Sequence, residues 1–195
     1  MILWHVVDVV EKESRDNMVY RYPVNYVGIT QKFGKNHKGI DLGWSSKHGG
    51  KNVLIYASAD GVIYVTHDKD RTGKSWGNYI KILHDDGSYT LYGHLLESSL
   101  KVKKGDKVVQ GQAIANMGAS GQASGNHLHF EIYKGGAGTS NRVDPLPLTY
   151  VFPDQEVASG DKDIVKYYNP YPEEEKIKEA LVHIEQAEAI LKGIL

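Results

Sequence analysis

The chain has 195 residues, enough for one domain with a substantial core and an additional segment. Its 23 basic residues nearly balance its 24 acidic residues, so the net charge indicates neither a nucleic-acid partner nor binding to a membrane surface. The absence of cysteine excludes thiolate metal sites, and 21 glycines beside only 3 phenylalanines favour a loop-rich all-β domain over a helical one.

The first segment, residues 1–28, begins with an apolar run that His5 and Asp8 interrupt and that no basic residues precede. This pattern predicts neither a signal peptide nor a transmembrane segment. From residue 17 to residue 34 the chain is rich in aromatic and β-branched residues bounded by proline and glycine. That composition predicts a strand that enters at the edge of a sheet.

The next segment, NHKGIDLG, places His37 and Asp41 four positions apart. Because Gly39 and Gly43 disfavour a helix, we predict a short extended segment in which His37 and Asp41 lie on one face. An imidazole and a carboxylate in this relation are candidate metal ligands.

Residues 53–95 show the alternation typical of β-strands. The pattern predicts two strands joined near residues 59–61, and then a hairpin over 79–95 whose turn lies at residues 85–88. In the second strand of that hairpin His94 shares a face with Thr90 and Tyr92.

Four further histidines, His48, His67, His84 and His183, are interpreted without a chemical role. The first three are expected at the surface, and His183 is expected to pack beside a helix. The polar loop at 68–78 contains Trp76, and two interpretations stay open for it: an exposed ring that stacks on a ligand, or an anchor for its own loop.

Residues 102–115 resemble half of a biotinyl or lipoyl carrier domain, but no lysine lies between Lys107 and Lys134 to carry such a group. The carrier interpretation is therefore rejected. The following segment, 125–133, reads GNHLHFEIY. As a strand it places His127, His129 and Glu131 on one face and three apolar residues on the other.

The His-x-His pair and the His-x-x-x-Asp segment together offer two imidazole nitrogens and a carboxylate oxygen to one ion. Three protein ligands with a fourth position left to water are typical of a catalytic zinc site, whereas structural zinc sites have four protein ligands. A half-buried strand with two surface histidines is the alternative when the His-x-His pair is considered alone.

The character of the chain changes after Pro145. Residues 151–172 are rich in proline and polar residues and are predicted to form a linker. Residues 173–195 have helical periodicity with one apolar stripe, formed by Ile177, Leu181, Ile184, Ala187, Leu191 and Leu195. A helix with one apolar face must bury it, so we expect docking on the domain, self-association or attachment to a larger assembly.

Taken together, residues 29–145 resemble the M23 family of zinc metallopeptidases, the lysostaphin-like or LytM-like peptidoglycan endopeptidases. The resemblance rests on ITQKFG, HKGID, ASADGVIYV, the hairpin ending in TLYGHL, and the run from VKKGDKV to GNHLHFEIY, followed by VDP. Where many relatives have a proline before the His-x-His pair, this chain has Asn126.

The resemblance implies an antiparallel β-sheet or sandwich of the lysostaphin-like type, with the peptidase domain at 29–150. It implies one zinc ion per chain, held by His37, Asp41 and His129. It further implies that His94 and His127 are catalytic, one moving the proton of the attacking water and the other steadying the oxyanion.

The substrate implied by the family is the peptide part of peptidoglycan, and both glycine bridges and D-alanine-containing links are open. The expected place of action is the cell wall, in the periplasm, outside the cell or on a virion. Without a visible signal peptide, release by lysis, as with a phage endolysin, or by another route is expected. The competing interpretation is a catalytically silent wall-binding or regulatory module, or a phage-tail component of the same fold.

Overall fold

A computed structural model of the chain describes residues 18–43 and 52–159. Fourteen short strands make up most of the regular structure in these ranges. In chain order they are β1 (Tyr20–Arg21), β2 (Tyr26–Val27), β3 (Ile29–Gln31), β4 (Ile40–Gly43), β5 (Leu54–Tyr56), β6 (Gly61–His67), β7 (Tyr79–Leu83), β8 (Tyr89–Gly93), β9 (Lys107–Val108), β10 (Ala113–Asn116), β11 (His127–Tyr133), β12 (Arg142–Val143), β13 (Thr149–Tyr150) and β14 (Glu156–Val157).

The main sheet has eight strands in the order β3-β4-β11-β8-β7-β6-β9, with β12 pairing on β11. Every pair in it is antiparallel. The predicted strand at 125–133 is β11, and the predicted hairpin at 79–95 is β7 and β8. The prediction of an all-β fold is therefore confirmed for the described residues, and the prediction of an antiparallel sheet is confirmed for the main sheet.

One face of the sheet carries the hydrophobic core. On β11 the alternate residues Leu128, Phe130 and Ile132 are completely buried in it, because successive side chains of a strand point to opposite faces. The other face of β11 carries His127, His129 and Glu131, as predicted. This second face is partly covered as well, since His129 and Glu131 are also buried, whereas His127 is half-buried.

Two parallel strand pairs join the start of the described chain to its end. β1 pairs with β13, and β2 pairs with β14. The guanidinium of Arg21 binds Asp154 at 3.0 Å and lies over the rings of Tyr56 and Phe152. The boundaries drawn at residues 28 and 150 stay predictions, although strands from both sides of each boundary pair with one another.

The helical appendage predicted at 173–195 lies outside the described residues, as does most of the linker predicted at 151–172. In the part of the chain that the structure describes, the helices are two 3-10 turns, Thr139–Asn141 and Leu146–Leu148. Within the same ranges, no helix has the length and apolar character needed to cross a bilayer.

His84 is buried, with 2% of its surface exposed, so the expectation of a surface histidine was wrong. Its Nδ1–H donates to the carbonyl oxygen of Asp60 at 2.7 Å, and its Nε2 lies 2.9 Å from the hydroxyl of Thr90. Both ring nitrogens therefore have partners while the ring is neutral. Burial lowers the pKa of His84 from its usual value, although nearby carboxylates such as Asp86 oppose this shift.

A pH dependence of stability follows from His84. Because the pKa of this histidine is lower in the folded than in the unfolded chain, the unfolded chain binds more protons between the two values. The free energy of unfolding should therefore fall as the pH falls below about 6.5. The His84→Gln variant should lose less stability over pH 7 to 5, measured by urea unfolding with a chelator present for both proteins. Parallel curves for the two proteins would show that His84 does not contribute.

Candidate metal centre and groove

Three side chains direct one ligand atom each to a common point. His37 Nε2 lies 3.0 Å from Asp41 Oδ1 and 3.0 Å from His129 Nδ1, and His129 Nδ1 lies 2.8 Å from Asp41 Oδ1. These three residues are the ligands that the resemblance implied, and they form a group that could hold a metal ion. A carboxylate oxygen facing two imidazole nitrogens in a nearly regular triangle needs a proton or a cation between them.

Sheet register explains this triangle. His129 of β11 is paired with Asp41 of β4 on one side and with Gly93 of β8 on the other. Directly opposed residues of an antiparallel pair lie about 4.5–5.5 Å apart, which allows their side chains to meet. His37 lies in the loop before β4 and closes the triangle. His37 and Asp41 therefore lie in a loop and in a strand, respectively, and not on one face of a single extended segment as predicted.

Gly39 allows β4 to approach β11 this closely. A Cβ atom at this position would lie 2.5 Å from the carbonyl oxygen of Phe130 and 2.9 Å from Cε1 of His129. Neither distance is sterically possible, so a side chain here must displace one strand from the other. Glycine at the centre of HKGID is therefore required by the packing of the strand that carries His129.

The tautomer of each imidazole in the triangle is set by a hydrogen bond on its far nitrogen. His37 Nδ1–H donates to the carbonyl oxygen of Lys32 at 2.9 Å, and His129 Nε2–H donates to Glu131 Oε1 at 2.9 Å. In the neutral rings, the nitrogens that face the triangle, Nε2 of His37 and Nδ1 of His129, are thereby left with their lone pairs for an ion.

His94 and His127 stand beside the triangle. Their ring centroids are 4.7 Å apart, and the ring of His94 lies 5.8 Å from that of His129. His127 Nε2 is 3.6 Å from the second carboxylate oxygen of Asp41. His94 Nδ1–H donates to the carbonyl oxygen of Ser120 and His127 Nδ1–H to that of Gly125. Both rings therefore keep Nε2 as a lone-pair nitrogen in the neutral form.

The protonation of these groups follows from burial and neighbouring charge. Burial lowers the pKa of His94 to about 4, so this ring is neutral at pH 7. Burial also opposes charge on His129, but its hydrogen bonds to Asp41 and Glu131 outweigh that effect and raise its pKa to about 9. Burial would raise the pKa of Asp41, yet the three surrounding imidazoles hold it below its usual value.

Packing between two loops holds His94 in a strained backbone conformation. Its φ is 59°, in the left-handed region that a non-glycine residue adopts at a cost of about 1–3 kcal/mol. Its backbone N–H donates to the carbonyl oxygen of Trp76 at 2.8 Å. The loops carrying Trp76 and Ser120 meet at Gly77 and Gly121, where a Cβ on either residue would lie within 2.6 Å of the other's backbone. His94 is thus held by two loops in mutual contact.

Glu131 is an additional site residue to which the sequence had assigned no role. It is 1% exposed, and its carboxylate accepts hydrogen bonds from four side chains: His129 Nε2, Trp76 Nε1, the hydroxyl of Tyr133 and Arg142 Nε. Of the two interpretations of Trp76, the structure shows an anchored ring. The period of β11 was the only sequence signal for Glu131, and nothing in the sequence indicated Arg142.

The triangle lies in an open groove of about 460 Å³. Its walls include Gln31, Asn36, Lys38, Ser75, Trp76, Gln122, Ser124 and Arg142 around the histidines. The predicted loop at 68–78 and the residues between β10 and β11 thus contribute to the walls, and Arg142 comes from the start of β12. His67 is exposed and lies outside the groove, whereas His48 and His183 fall outside the described residues.

The stretch of chain that carries this site is similar to known proteins. The model of peptidase family M23 matches residues 35–145, which include all five of the histidine and aspartate residues discussed above. The chain is 36% identical over 104 residues to the peptidoglycan DD-endopeptidase ShyA of Vibrio cholerae, covering 53% of this chain and 23% of that protein. It is 37% identical over 123 residues to the murein hydrolase activator NlpD of Salmonella dublin, a match that covers 60% of this chain and 28% of that protein.

Among solved structures, the chain resembles a zinc-containing peptidase from Vibrio cholerae with a TM-score of 0.53 and 30% identity. That match covers 66% of this chain and 39% of the other. The chain spans less than half the length of each of these three proteins.

Proposed function

The chain belongs to peptidase family M23, and from that membership we propose that it is a zinc-dependent endopeptidase acting on the peptides of bacterial peptidoglycan. The observation that carries the proposal is the triangle of His37, Asp41 and His129 in an open groove beside two further histidines. A relative named as a peptidoglycan DD-endopeptidase supports the substrate class.

The donor set fits zinc. Two imidazole nitrogens and one carboxylate oxygen, with an open side, make up a typical catalytic zinc site. Donor atoms bonded at 2.0–2.1 Å in a tetrahedral site lie roughly 3.3 Å apart, and the three donors here are separated by 2.8 to 3.0 Å. A zinc ion held there would polarise the scissile carbonyl and lower the pKa of a bound water to about 7.

The chain's own residues supply the proton transfers. The neutral ring of His94 offers Nε2 as a proton acceptor, and in the described part of the chain no hydrogen-bond partner occupies that atom. The ring of His127 lies beside that of His94, and its Nε2 is 3.6 Å from Asp41 Oδ2. We propose that the two rings share the removal of the proton from water, its delivery to the leaving amine and the stabilisation of the oxyanion.

Glu131 serves as a positioning residue in this account. By accepting the Nε2–H of His129 it fixes the ring's orientation and tautomer, and the other three donors hold the carboxylate itself. Burial would raise the pKa of Glu131, but these donors keep it below the usual value, so the group is a carboxylate at neutral pH.

The second candidate function is a catalytically silent regulator of other wall enzymes. The similarity to a protein named as a murein hydrolase activator favours it. This chain has a residue of the expected type at every position proposed here for metal binding and proton transfer. That argues against the regulator, because a silent site would be expected to lack a ligand. The cell wall as place of action, release by lysis as with a phage endolysin, and docking or self-association through residues 173–195 stay predictions.

Digestion of purified sacculi tests the proposed reaction. Zinc-loaded protein should release new amino groups and produce peptides whose cleaved bond mass spectrometry identifies, with no new reducing sugar ends. A chelator should stop the release. Tight binding to sacculi by zinc-loaded protein, with no new amino groups from any wall type, would favour the regulator.

A substitution at Gly39 tests whether the strand approach creates the site. In Gly39→Ala the new Cβ must separate β4 from β11, so we expect a loss of about 1–3 kcal/mol in the free energy of unfolding. Zinc affinity should fall about 10-fold or more, measured by competition with a chelating dye. Gly34→Ala is the matched control, because a Cβ there meets nothing within 4 Å. Equal zinc affinities for the two variants would contradict this explanation.

A further inference from the structure

Arg142 forms part of the groove wall beyond the triangle. It lies on β12 and pairs with the last residue of β11, Tyr133. Its Nε–H donates to Glu131 Oε2 at 2.8 Å, and the carbon of its guanidinium lies 5.2 Å from the ring centroid of Trp76 and 5.8 Å from that of Tyr133. A guanidinium tethered at Nε and placed over two rings has little freedom to turn.

This tether leaves most of the guanidinium's donors for a ligand. Arginine carries five N–H groups, and the hydrogen bonds found for Arg142 within the described residues, to Glu131 and Tyr133, both use Nε. The side chain is 17% exposed and borders the groove. The four N–H groups on its terminal nitrogens have the fork geometry that binds a carboxylate with two parallel hydrogen bonds.

The charges of the groove favour an anionic ligand. The carboxylates that line it, Asp41 and Glu131, are buried and already accept hydrogen bonds from imidazoles, an indole and other side chains. The basic groups, Arg142 and the exposed Lys38, keep donors open to solvent. A divalent ion in the triangle would add further positive charge, so a peptide bearing a carboxylate is attracted to this groove.

The guanidinium is within reach of a peptide bound at the triangle. It is connected to His129 through the Glu131 carboxylate by two successive contacts of 2.9 and 2.8 Å. An extended peptide advances about 3.3 Å per residue. A carboxylate roughly two or three residues from the scissile bond can therefore meet Arg142 while that bond lies over the triangle.

We propose that Arg142 determines specificity by binding a free carboxylate of the substrate, close to the bond that is cut. The preferred substrate is then an anionic stem peptide rather than an uncharged glycine bridge. This inference rests on the proposed peptidase function and specifies its substrate. It gives Arg142 a role distinct from positioning Glu131, because positioning would affect every substrate alike.

The test compares three synthetic substrates with zinc-loaded protein: a cross-linked stem-peptide dimer with free carboxyl groups, the same dimer with those groups as carboxamides, and pentaglycine. Wild-type protein should cleave the free-carboxyl dimer with a kcat/KM about 10-fold or more above that for the carboxamide. In Arg142→Gln this ratio should fall close to one, and Arg142→Lys should retain part of it. The ratio should persist in Lys104→Gln, which removes an exposed positive charge at a turn outside the groove.

The outcomes separate this inference from the peptidase proposal. If wild-type protein cleaves both dimers equally, or prefers pentaglycine, the peptidase is established and the role of Arg142 is refuted. If Arg142→Gln slows both dimers by the same factor, the residue only positions Glu131. If zinc-loaded wild-type protein cleaves none of the three substrates and releases no amino groups from sacculi, the peptidase proposal fails and this inference fails with it.

Discussion

The His37→Ala variant should purify without zinc and should hydrolyse peptidoglycan peptides about 10³-fold or more slowly than the wild-type protein. His37 supplies one of three donors, and its removal leaves a nitrogen and an oxygen that cannot hold the ion alone. The polarising effect of the metal, worth several kcal/mol, is then lost. Metal content by mass spectrometry and release of amino groups from sacculi measure the two effects on one sample. Asp41→Ala should behave in the same way.

His67→Ala is the matched control for this loss. His67 is an exposed histidine outside the groove, so its removal tests whether any histidine substitution lowers metal content. It should retain zinc and activity. Full activity of His37→Ala with zinc still bound would show that the triangle is not the metal centre.

The His127→Ala variant should keep its zinc and lose activity by about 10²-fold or more. His127 lies beside Asp41, at 3.6 Å from its second oxygen, but the three donors of the triangle do not include it. Its loss removes a proton carrier and leaves the ion in place. The separation of metal content from activity distinguishes it from His37→Ala.

His94→Ala provides the comparison for the division of work between the two rings. It too should retain zinc, since its ring is held by Ser120 and lies outside the triangle. If His127→Ala or His94→Ala were purified without metal, the assignment of ligands and proton carriers would have to be revised.

The sequence predicted the strands of this fold because their side-chain alternation was regular. In β11 the alternate residues Leu128, Phe130 and Ile132 are apolar, and the structure places that set in the core. The hairpin turn at 85–88 was likewise visible as a cluster of residues that tolerate positive φ, and Gly87 has a φ of 75°. Local pattern was sufficient in both cases because each strand buries one face completely.

The same local patterns misplaced His84 and gave no role to Glu131 or Arg142. His84 directly follows β7, at a turn that the sequence pattern predicts to be exposed to solvent. In the structure the loop at Asp60 covers its ring, and the carbonyl oxygen of Asp60 accepts its Nδ1–H. Glu131 and Arg142 meet across 11 residues of chain. Such contacts depend on how the loops fold back over the sheet. Neither the alternation of residue types along a strand nor the composition of a segment predicts this.

The candidate ligands could be found from the sequence because each half of the site is formed by residues that are close together in the chain. His37 and Asp41 are close in the chain, and the His-x-His pair is set by the period of one strand, so each half of the site is local. The resemblance to a known family implied that the two halves form one site and that His129, not His127, is the ligand. Sheet register, with Asp41 opposite His129, supplies the physical basis of that choice.

The most direct test of the central claim is a zinc titration of metal-free protein while sacculi are digested. The rate of amino-group release should rise linearly with added zinc and reach its plateau at one zinc ion per chain, with His37→Ala showing no rise. A site filled to one zinc per chain without any release of amino groups, or undiminished release from the chelated protein, would contradict the account.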